Sequence, residues 1–573
     1  MDDISIARHS LAHVLAAAVL KLYPEAKLGM GPAIEDGFYY DFDLPQPISV
    51  DELPKIEEKM REIIESSPEF VKSDLPIEDA KNKFKNQPLK IEIIEDIGKE
   101  GAENVGVYQT NDFEDVCQGP HIESTSGIDP NAFKLTRVAG VYWKSDENNK
   151  QLQRIYGVAF NSKEELDGYL KNQEEAKKRD HRKIGKDLDL FVFSDLVGAG
   201  LPLFTPRGTL VKELLQKKVE GICRKFGFEK VLTPHLAKLE LYKISGHAEK
   251  FGDELFHVTS KYKQDHVIRP VLCPHQTQIY ASKIRSYKEL PIRYMESDKM
   301  YRAEKPGEIG GLNRVIAITV EDGHSFCRVD QVKQEIKNMV EIIKIFYSEI
   351  GMWGNHKVSL SVRDYEHQEK YIGDAKDWDE CEKMLQEVSN EMDLKAQKKE
   401  GEAALYGPKL DFMFKDATGR EIQIPTVQLD FATPKRFNLT YINKEGKEET
   451  PVMVHRAILG SYERFIALLL EHFAGALPTW LAPVQTRVVP VSEKHMEYAK
   501  TVADQLSDSD VRAKVDESDE TLGKKIREGE MQKIPYLIVV GDKEVEAKNI
   551  AVRSREKGDL GSKSIDELIK LID

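Results

Sequence analysis

A strongly charged segment between residues 164 and 183 is the feature that most constrains how this chain can fold. Its sequence, EELDGYLKNQEEAKKRDHRK, has the composition of a helix but few apolar residues, so it has little to bury in a core. We predict a solvated linker helix over 164–183. Because 573 residues are enough for about three or four domains, the linker is expected to separate an N-terminal domain, 1–163, from a larger remainder.

A second change of pattern, near residue 476, divides that remainder. Before it, long helical stretches alternate with β-rich runs such as EIQIPTVQLDF (421–431). After it, short strands and helices alternate in the order RVVPVS, EYAKTVADQL, VRAKVD, LGKKIREGEM and PYLIVVG, and SIDELIKLI forms a last helix. This alternation predicts a compact α/β module of about 100 residues. The expected domains are therefore 184–475 and 476–573.

Composition and net charge narrow the class of protein and its cellular compartment. The net charge of −15 argues against a general nucleic-acid coat protein, although a local basic groove is compatible with an acidic chain. Five irregularly spaced cysteines indicate reduced thiols. The first residues show no basic start followed by an apolar core, and no apolar run is expected to span a membrane. We expect a cytoplasmic protein.

The N-terminal part carries two pairs of potential catalytic or metal-binding residues with the same spacing. In HSLAH, His9 and His13 are four residues apart within a predicted helix, residues 4–22, and lie on one face of it. In DVCQGPH, Cys117 and His121 are also four apart, around a Gly-Pro turn. One such pair is more often a packing feature, but packing hardly explains two.

Three stretches of the central part are notable for their arginines, glycines and prolines. GFEKVLTPHL (227–236) is predicted as an apolar strand ending in proline, YRAE (301–304) follows a strand and precedes the loop KPGEIGGLNR, and LGSYERF (459–465) opens an apolar helix. Arginine suits phosphates because its planar fork donates two hydrogen bonds to one oxyanion. An Arg-x-Glu alone is more often a surface ion pair, so the order of the three carries the evidence.

That order resembles the three motifs of class II aminoacyl-tRNA synthetases. LYGPKLDF (405–412), TVQLDFATPKRF (426–437), VMVHRAILGSYERF (452–465) and VGDKEVE (540–546) resemble threonyl-tRNA synthetases in particular, and the resemblance covers nearly the whole chain. It implies a multidomain α+β fold with a class II antiparallel-sheet catalytic domain, an N-terminal α+β editing domain and a C-terminal α/β anticodon-binding domain. It also implies a homodimer, with the first motif, which ends at Pro234, at the interface.

The resemblance implies ATP-dependent attachment of threonine to its cognate tRNA through a threonyl-adenylate. Attack of a carboxylate on the α-phosphate depends mostly on positioning and charge neutralisation, so arginines and Mg²⁺ with ATP are expected. The implied catalytic residues are Arg302, Arg464 and Lys409. The implied ATP-binding residues are Arg302, Glu304, Arg314, Gln423 and Arg464.

A zinc site follows from the resemblance and not from spacing, because Cys273, His324 and His455 lie too far apart in the chain to be recognised by themselves. One thiolate and two imidazoles would hold one Zn²⁺ per subunit and leave its fourth position for substrate. Threonine can bind there through its amino group and hydroxyl, whereas valine has no hydroxyl. The implied threonine-binding residues are Asp322, Tyr406, Gln428 and Ser461.

Serine carries the same two groups, and one missing methyl is worth only about 1–3 kcal/mol of discrimination. An enzyme of this design therefore needs a second site that hydrolyses seryl-tRNA. The implied editing residues are His9, His13, Tyr40, Lys90, Asp115, Cys117 and His121. The set His9, His13, Cys117 and His121, here named the editing quartet, could hold a metal or activate a water, and we favour water activation.

The C-terminal module, 476–573, resembles an anticodon-binding domain in which Arg527, Glu544 and Arg553 are implied base contacts. Carboxylates accept from base amino groups, and arginines donate to base edges and phosphates. Each of these residues is equally compatible with a surface ion pair.

The sequence departs from the family in a few places. The usual Cys-Pro-Gly-His reads CPHQ at 273–276. Ile318 replaces a phenylalanine that stacks on adenine, Val320 replaces a glutamine near the nucleotide, and Asp519 replaces an asparagine near the anticodon. The small ubiquitin-like module that usually begins bacterial members is not expected here. Aliphatic packing can replace stacking at modest cost, so an active enzyme is still expected.

Three alternative functions are less compatible with these residues. A sibling synthetase for proline, serine or glycine lacks this zinc design. A tRNA-binding or regulatory paralogue would not need the intact set of Arg302, Glu304 and Arg464. A stand-alone trans-editing protein would not need a complete central domain. The expected partners are ATP, threonine, tRNA for threonine and a second copy of the chain.

Overall fold

The computed structural model describes residues 3–146, 148–305, 307–354, 356–415, 419 and 421–572. The chain divides into two compact units, Met1–Glu174 and Glu175–Asp573. Each unit combines helices with largely antiparallel sheets, and the predicted multidomain α+β fold is confirmed.

The N-terminal unit consists of two small antiparallel sheets with helices packed on them. Its helices are α1 (Asp3–Leu22), α2 (Leu53–Glu65), α3 (Ile77–Lys83) and α4 (Pro88–Lys99), and α5 (Lys163–Lys178) crosses the boundary between the units. Its strands are β1 (Lys27–Leu28), β2 (Ala33–Ile34), β3 (Gly37–Asp43), β4 (Val71–Pro76), β5 (Asn104–Thr110), β6 (Phe113–Val116), β7 (Phe133–Tyr142) and β8 (Gln151–Ala159). One sheet has the order β1-β3-β8-β7 with β2 on β3, and the other has the order β4-β5-β6. Apolar residues of α1, α2 and the larger sheet form one core.

The helix α1 is long and apolar enough, by length and composition, to cross a membrane. This corrects the prediction that no apolar run reaches such a length. Of its most apolar window, 61% is buried inside the protein, as in the core helix of a globular domain. The apolar character of α1 is therefore accounted for by packing.

The larger unit begins with a helix-rich region around one long sheet. Its helices are α6 (His181–Asp187), α7 (Pro206–Lys225), α8 (Leu239–Ser245), α9 (His247–Lys250), α10 (Cys273–Ala281), α11 (Val332–Glu349), α12 (Ala375–Glu391), α13 (Ala432–Arg436) and α14 (Tyr462–His472). Its strands are β9 (Phe191–Val192), β10 (Leu203–Phe204), β11 (Glu229–Lys230), β12 (Leu236–Ala237), β13 (His257–Thr259), β14 (Asp265–Ile268), β15 (Ile292–Tyr301), β16 (Ala317–Cys327), β17 (His356–Val362), β18 (Gln397–Glu400), β19 (Lys409–Lys415), β20 (Glu421–Asp430), β21 (Tyr441–Ile442), β22 (Glu448–Glu449) and β23 (Val452–Ser461).

The long sheet has the order β11-β15-β16-β23-β20-β19-β17-β18. Its inner pairs are antiparallel, whereas β11 and β18 are added in parallel at the two edges. Apolar residues of α7, α11, α12 and α14 pack against this sheet in the largest core of the protein. The three central strands β16, β23 and β20 carry polar side chains that include His324, His455 and Gln428.

The C-terminal region is an α/β module with its own five-stranded sheet and apolar core. Its elements are β24 (Thr486–Pro490), α15 (Met496–Asp508), β25 (Ala513–Val515), α16 (Leu522–Met531), β26 (Tyr536–Val540), α17 (Asp542–Ala547), β27 (Ile550–Ser554), β28 (Gly558–Lys563) and α18 (Ile565–Ile572). The sheet has the order β25-β24-β26-β27-β28, with parallel pairs β25-β24 and β24-β26 followed by antiparallel pairs. The predicted alternation of strands and helices is correct, but the hairpin β27-β28 was not predicted.

Two predicted elements differ from the structure. The linker is not one helix, because α5 ends at Lys178 and α6 starts at His181, with Asp180 accepting a hydrogen bond from the backbone N–H of Arg182 as its N-cap. His181 is buried and contacts Glu471 at 2.7 Å, so this end of the segment is not solvated. In the first motif, two short strands replace the predicted apolar strand over 227–236, because β11 covers Glu229–Lys230 and β12 begins at Leu236.

Candidate active site

The central Cys/His set is assembled from two neighbouring strands and one helix start. His324 on β16 and His455 on β23 are directly opposite each other in the antiparallel register, and their ring centroids are 4.7 Å apart. Cys273 is the first residue of α10. One ligand atom from each of the three residues lies within 4.8 Å of the others, and all three side chains are buried. The sheet thus brings together residues that are 182 positions apart (455 − 273) in the chain.

Hydrogen bonds fix both histidine rings of this set. His455 contacts Asp430 Oδ2 through Nε2 at 3.0 Å, and His324 contacts Gln276 Oε1 through Nδ1 at 2.7 Å. Each contact leaves the other ring nitrogen free to act as a metal ligand. Metal-binding histidines in proteins usually have such an acceptor on the second nitrogen, since it sets the tautomer and the ring orientation. The donor set of one sulfur and two nitrogens suits zinc.

This set lies in the wall of a cavity of about 510 Å³. Tyr406 stacks on the ring of His455 with centroids 4.6 Å apart and donates its hydroxyl hydrogen to Gln428 Oε1 at 2.7 Å. Asp322 also lines the cavity, and burial together with the charge of Glu321 raises its pKa to about 7. The predicted threonine-binding residues Asp322, Tyr406 and Gln428 are therefore next to the Cys/His set.

Ser461 and the predicted phosphate-binding arginines line the same cavity. Ser461 is the N-cap of α14, where its hydroxyl accepts from the backbone N–H of Arg464 at 3.2 Å. Arg464 donates through Nε to the Asn313 carbonyl oxygen at 3.0 Å, and Arg302 lies over the ring of Phe251. The cavity thus presents a positively charged end beside the helix N-terminus, where anions are favoured.

Arg314 and Glu304 are joined to each other in this structure. Arg314 Nη2 lies 2.6 Å from Glu304 Oε2 and 2.8 Å from Glu308 Oε2. Both Arg314 and Glu304 line the cavity, as predicted for ATP-binding residues. An adenine amino group at Glu304 and a phosphate at Arg314 would have to replace these contacts.

The predicted catalytic Lys409 does not line this cavity. Its Nζ lies 2.8 Å from Asp411 Oδ2, and Asp411 Oδ1 accepts from Gln423 Nε2 at 2.7 Å. Gln423 does line the cavity. The lysine is therefore connected to the cavity wall through Asp411 and through its strand partner Gln428.

The two unusual residues of the cavity wall lie in a small apolar cluster. Ile318 packs against Val320, Met300 and Leu272. Ile318 and Val320 both line the cavity, so this part of the wall is aliphatic where an aromatic ring was expected from the family pattern. Aliphatic side chains still offer a planar base an apolar contact surface, but they do not add the energy of aromatic stacking.

The editing quartet is also assembled by the fold, in the N-terminal unit. Its four ligand atoms lie within 4.8 Å of one another. His9 Nε2 and His121 Nε2 contact Cys117 Sγ at 3.3 and 3.4 Å. The opposite nitrogens are held by neutral oxygens, because His9 Nδ1 lies 3.2 Å from the Pro120 carbonyl oxygen and His121 Nδ1 lies 3.1 Å from Ser10 Oγ. The matched spacing of HSLAH and DVCQGPH is thus explained by one shared cluster.

A buried charged network adjoins the quartet. Asp115 is paired with the ammonium of Lys90 and accepts a hydrogen bond from the Tyr40 hydroxyl, and its Oδ2 lies 3.8 Å from His13 Nε2. His9, His13, Lys90, Asp115 and Cys117 line a cavity of about 520 Å³. All predicted editing residues therefore belong to one connected cluster, although Tyr40 and His121 do not line the cavity itself.

Burial keeps the imidazoles of the quartet neutral. It lowers the pKa of His9, lowers the pKa of His13 well below its ordinary value, and lowers the pKa of His121 to about 2. The neighbouring histidines add to the effect at His13 and His121. Neutral imidazoles can accept a proton, as a general base must.

Comparisons with known proteins agree with this geometry. The family described as "tRNA synthetase class II core domain (G, H, P, S and T)" matches residues 256–473, "Anticodon binding domain" matches 485–573, and "Threonyl and Alanyl tRNA synthetase second additional domain" matches 105–156. The threonine–tRNA ligase of Gloeobacter violaceus is 46% identical over 571 residues, which cover 98% of this chain and 91% of that protein. The chain belongs to the threonine–tRNA ligase family.

Other similar proteins support the same family. The threonine–tRNA ligase of Halalkalibacterium halodurans is 44% identical, with 99% of this chain and 88% of that protein covered. The "RNA binding domain of Threonyl-tRNA synthetase" from Cryptosporidium parvum has a TM-score of 0.65 at 32% identity, over 69% of this chain and 97% of that one. The putative threonyl-tRNA synthetase of Aeropyrum pernix has a TM-score of 0.62 at 28% identity, over 68% and 94%.

Family membership confirms the reaction predicted from the resemblance. The chain is an aminoacyl-tRNA synthetase that joins threonine to its tRNA. The presence of the editing domain is evidence that it also hydrolyses mischarged tRNA. Class II synthetases of this family depend on ATP and magnesium. The alternative of a sibling synthetase for another amino acid is thereby set aside.

Two of the three residues predicted to meet the anticodon make contacts within the C-terminal region. Arg553 is exposed and lies 3.2 Å from Glu530, and Arg527 on α16 is exposed. Glu544 Oε2 accepts from the backbone N–H of Gly541 at 2.9 Å and so caps α17. Arg553 and Glu530 line a surface cavity of about 500 Å³. The three residues stay candidates for base contacts.

Sequence reasoning missed the residues that hold the predicted ones in place. Gln276 and Asp430 orient the two histidines of the metal set, and Asp411 joins Lys409 to Gln423. Asp430 is fully buried, and its Oδ1 also accepts the backbone N–H groups of Ala432 and Thr433 at 2.9 and 2.8 Å. Only Gln276 had a signal in the sequence, since it stands where the family pattern has histidine.

Proposed function

We propose that Cys273, His324 and His455 hold one zinc ion that selects threonine in this ligase. The observation that carries the proposal is the convergence of one thiol and two oriented imidazoles in the cavity wall, within 4.8 Å of one another. Zinc bound there would take the amino group and hydroxyl of threonine as ligands and would reject valine, which has no hydroxyl.

The other cavity residues then have distinct binding roles. Tyr406, Gln428 and Asp322 surround the amino acid next to the metal set, and Asp322 accepts from its polar groups. Ser461 lies where this end of the cavity meets α14. These side chains hold the threonine carboxylate toward the phosphate end, where positioning supplies much of the rate.

Adenylate formation is assigned to the charged end of the cavity. Arg302 and Arg464 bind the phosphates, Glu304 accepts from the adenine amino group, and Arg314 approaches the γ-phosphate. A threonine carboxylate oxygen forms a bond to the α-phosphorus, and the bond from that phosphorus to the bridging oxygen breaks to release pyrophosphate. Magnesium bound with ATP would neutralise part of the negative charge of the phosphates. Gln423 binds near the nucleotide, and Lys409 acts through Asp411.

Hydrolytic editing of seryl-tRNA is assigned to the editing quartet without a metal. A water molecule attacks the carbonyl carbon of the seryl ester, a neutral imidazole takes its proton, and the bond to the ribose oxygen breaks with a proton returned to that oxygen. The buried Lys90 ammonium supplies the positive charge that a metal would otherwise bring, and Asp115 and Tyr40 keep it in place. That cation is our reason for preferring water activation.

Four further assignments complete the proposal. We assign domain limits of 1–163, 164–183, 184–475 and 476–573, and a cytoplasmic location. A homodimer through the first motif is supported by its apolar surface, where Leu232 is 78% exposed and Leu236 is 45% exposed. Anticodon contacts by Arg527, Glu544 and Arg553 are assigned to the C-terminal module.

The experiment that tests the proposal is ATP–pyrophosphate exchange with threonine, serine and valine supplied separately. Strong exchange with threonine, weaker exchange with serine and none with valine is expected. Exchange with valine comparable to that with threonine would rule out selection by a hydroxyl-binding metal. A chain without exchange for any amino acid would show that the aliphatic wall at Ile318 and Val320 no longer binds ATP.

A further inference from the structure

Gln276 is a fully buried amide that touches the central metal set without belonging to it. It lies on α10, three residues after Cys273, and its Oε1 is 2.7 Å from His324 Nδ1. Burial of a polar amide is costly unless its groups are hydrogen-bonded. The amide oxygen and the amide nitrogen of this buried side chain therefore both need hydrogen-bond partners.

The amide orientation of Gln276 is set by a carboxylate on its far side. Its Nε2 donates to Glu296 Oε2 at 3.2 Å. Glu296 is 1% exposed and is itself held by the Thr233 backbone N–H at 2.9 Å and by Arg269 Nη1 at 3.1 Å. A carboxylate paired with arginine only accepts hydrogen bonds, so the amide nitrogen must face Glu296 and the amide oxygen must face His324.

This orientation decides which nitrogen of His324 carries the proton. An amide oxygen can only accept, so Nδ1 of His324 must be the donor and Nε2 keeps its lone pair. We propose that Gln276 is a positioning residue of the metal centre, which fixes His324 as the Nδ1–H tautomer and presents Nε2 to the metal. The proposal rests on the zinc site proposed above.

The two histidines of the set are held by different means. His455 contacts the Asp430 carboxylate, which needs no further orientation because both of its oxygens accept. His324 has a neutral amide instead, whose direction depends on Glu296. The buried chain His324–Gln276–Glu296 therefore connects the metal set to Thr233, next to the proline that ends the first motif.

The experiment compares zinc affinity in the full-length wild type, Gln276→Met and Gln276→Glu, by competition with a chromogenic chelator. Methionine keeps the size of the side chain and removes the strong acceptor, so zinc affinity is expected to fall by about 10–100-fold. The buried Glu296 carboxylate is expected to hold the new glutamate in its protonated form, whose O–H donates to Glu296 and whose carbonyl oxygen accepts from His324 Nδ1–H, so its zinc affinity should lie closer to the wild type. Gln278→Met on the same helix is the matched control, because Gln278 is exposed and its side chain donates to the neighbouring Thr277 hydroxyl and not to the metal set.

Kinetics separate positioning from general damage. In Gln276→Met we expect a higher KM for threonine with an unchanged KM for ATP, together with normal hydrolysis of seryl-tRNA as evidence of correct folding. Equal zinc affinity in Gln276→Met and wild type would overturn the role of Gln276 while leaving the zinc site intact. A wild-type chain that holds no zinc would overturn the metal site itself, and the role of Gln276 with it.

Discussion

The two Cys/His clusters of the chain use the same residue types in opposite surroundings. In the central set Cys273, His324 and His455 are all buried, with exposures of 5%, 2% and 5%. In the editing quartet only His13 is buried, and His9, Cys117 and His121 are partly exposed. Distances alone do not separate them, since each set meets the same 4.8 Å spread.

The partners of the rings do separate them. A carboxylate and a carboxylate-oriented amide hold the central histidines, whereas a carbonyl and a hydroxyl hold His9 and His121. The editing quartet has the buried Lys90 ammonium beside it, paired with Asp115, whereas the cations that line the central cavity are guanidinium groups, those of Arg302, Arg314, Arg456 and Arg464. What such a set of side chains binds therefore depends on the charged groups around it as much as on its own ligand atoms.

The largest expected effect comes from Cys273→Ala. Loss of the only thiolate ligand should release zinc and reduce threonine activation by at least about 10³-fold, because the polar groups of threonine lose their partner. Pyrophosphate exchange and zinc content are the measurements. Cys381→Ala, which removes another buried thiol that is not among the residues lining the cavity, is the matched control. Normal activation by Cys273→Ala would contradict the account.

The next largest effect should appear in the other cluster. His13→Ala removes a neutral imidazole from the editing quartet, so hydrolysis of seryl-tRNA should fall by about 10²–10⁴-fold while threonine activation stays normal. Single-turnover deacylation of seryl-tRNA is the measurement. Unchanged deacylation would show that the quartet takes no part in editing. An equal loss of threonine activation would show that the two clusters do not act independently.

The pH dependence of editing should reflect the lowered pKa values. A folded pKa below the ordinary value keeps the imidazoles neutral as the pH falls, so the rate is expected to stay constant from about pH 8 to 6. An unshifted imidazole, with a pKa of about 6.5, would lose about half of the rate at pH 6.5. The enzyme-dependent rate is measured after subtraction of spontaneous ester hydrolysis, and a half-loss near pH 6.5 would contradict neutral, buried bases.

A small effect is expected at the phosphate end of the central cavity. Glu308→Ala removes one of two carboxylates that hold Arg314, so KM for ATP should fall by about twofold. The effect is small because Arg314 and Glu308 are 45% and 40% exposed. Glu349→Ala, an exposed partner of Lys218, is the control. A rise in KM for ATP would mean that Glu308 helps to bind the nucleotide.

The sequence predicted the outline of both clusters, but by different routes. HSLAH and DVCQGPH show the quartet directly, because residues four apart share a helix face or a turn. The central set could be found only by resemblance, since its members meet through the β16-β23 register, which no local pattern encodes. The break at Asp180 and the short first-motif strand were missed for a similar reason, because tertiary contacts such as His181 with Glu471 override local composition.

The central claim is that one cluster holds zinc and the other does not. The most direct test is the zinc content per chain of purified wild type, Cys273→Ala and Cys117→Ala, measured by plasma mass spectrometry. The account predicts one zinc per chain in the wild type and in Cys117→Ala, and none in Cys273→Ala. Two zinc ions in the wild type, or loss of zinc in Cys117→Ala, would contradict it.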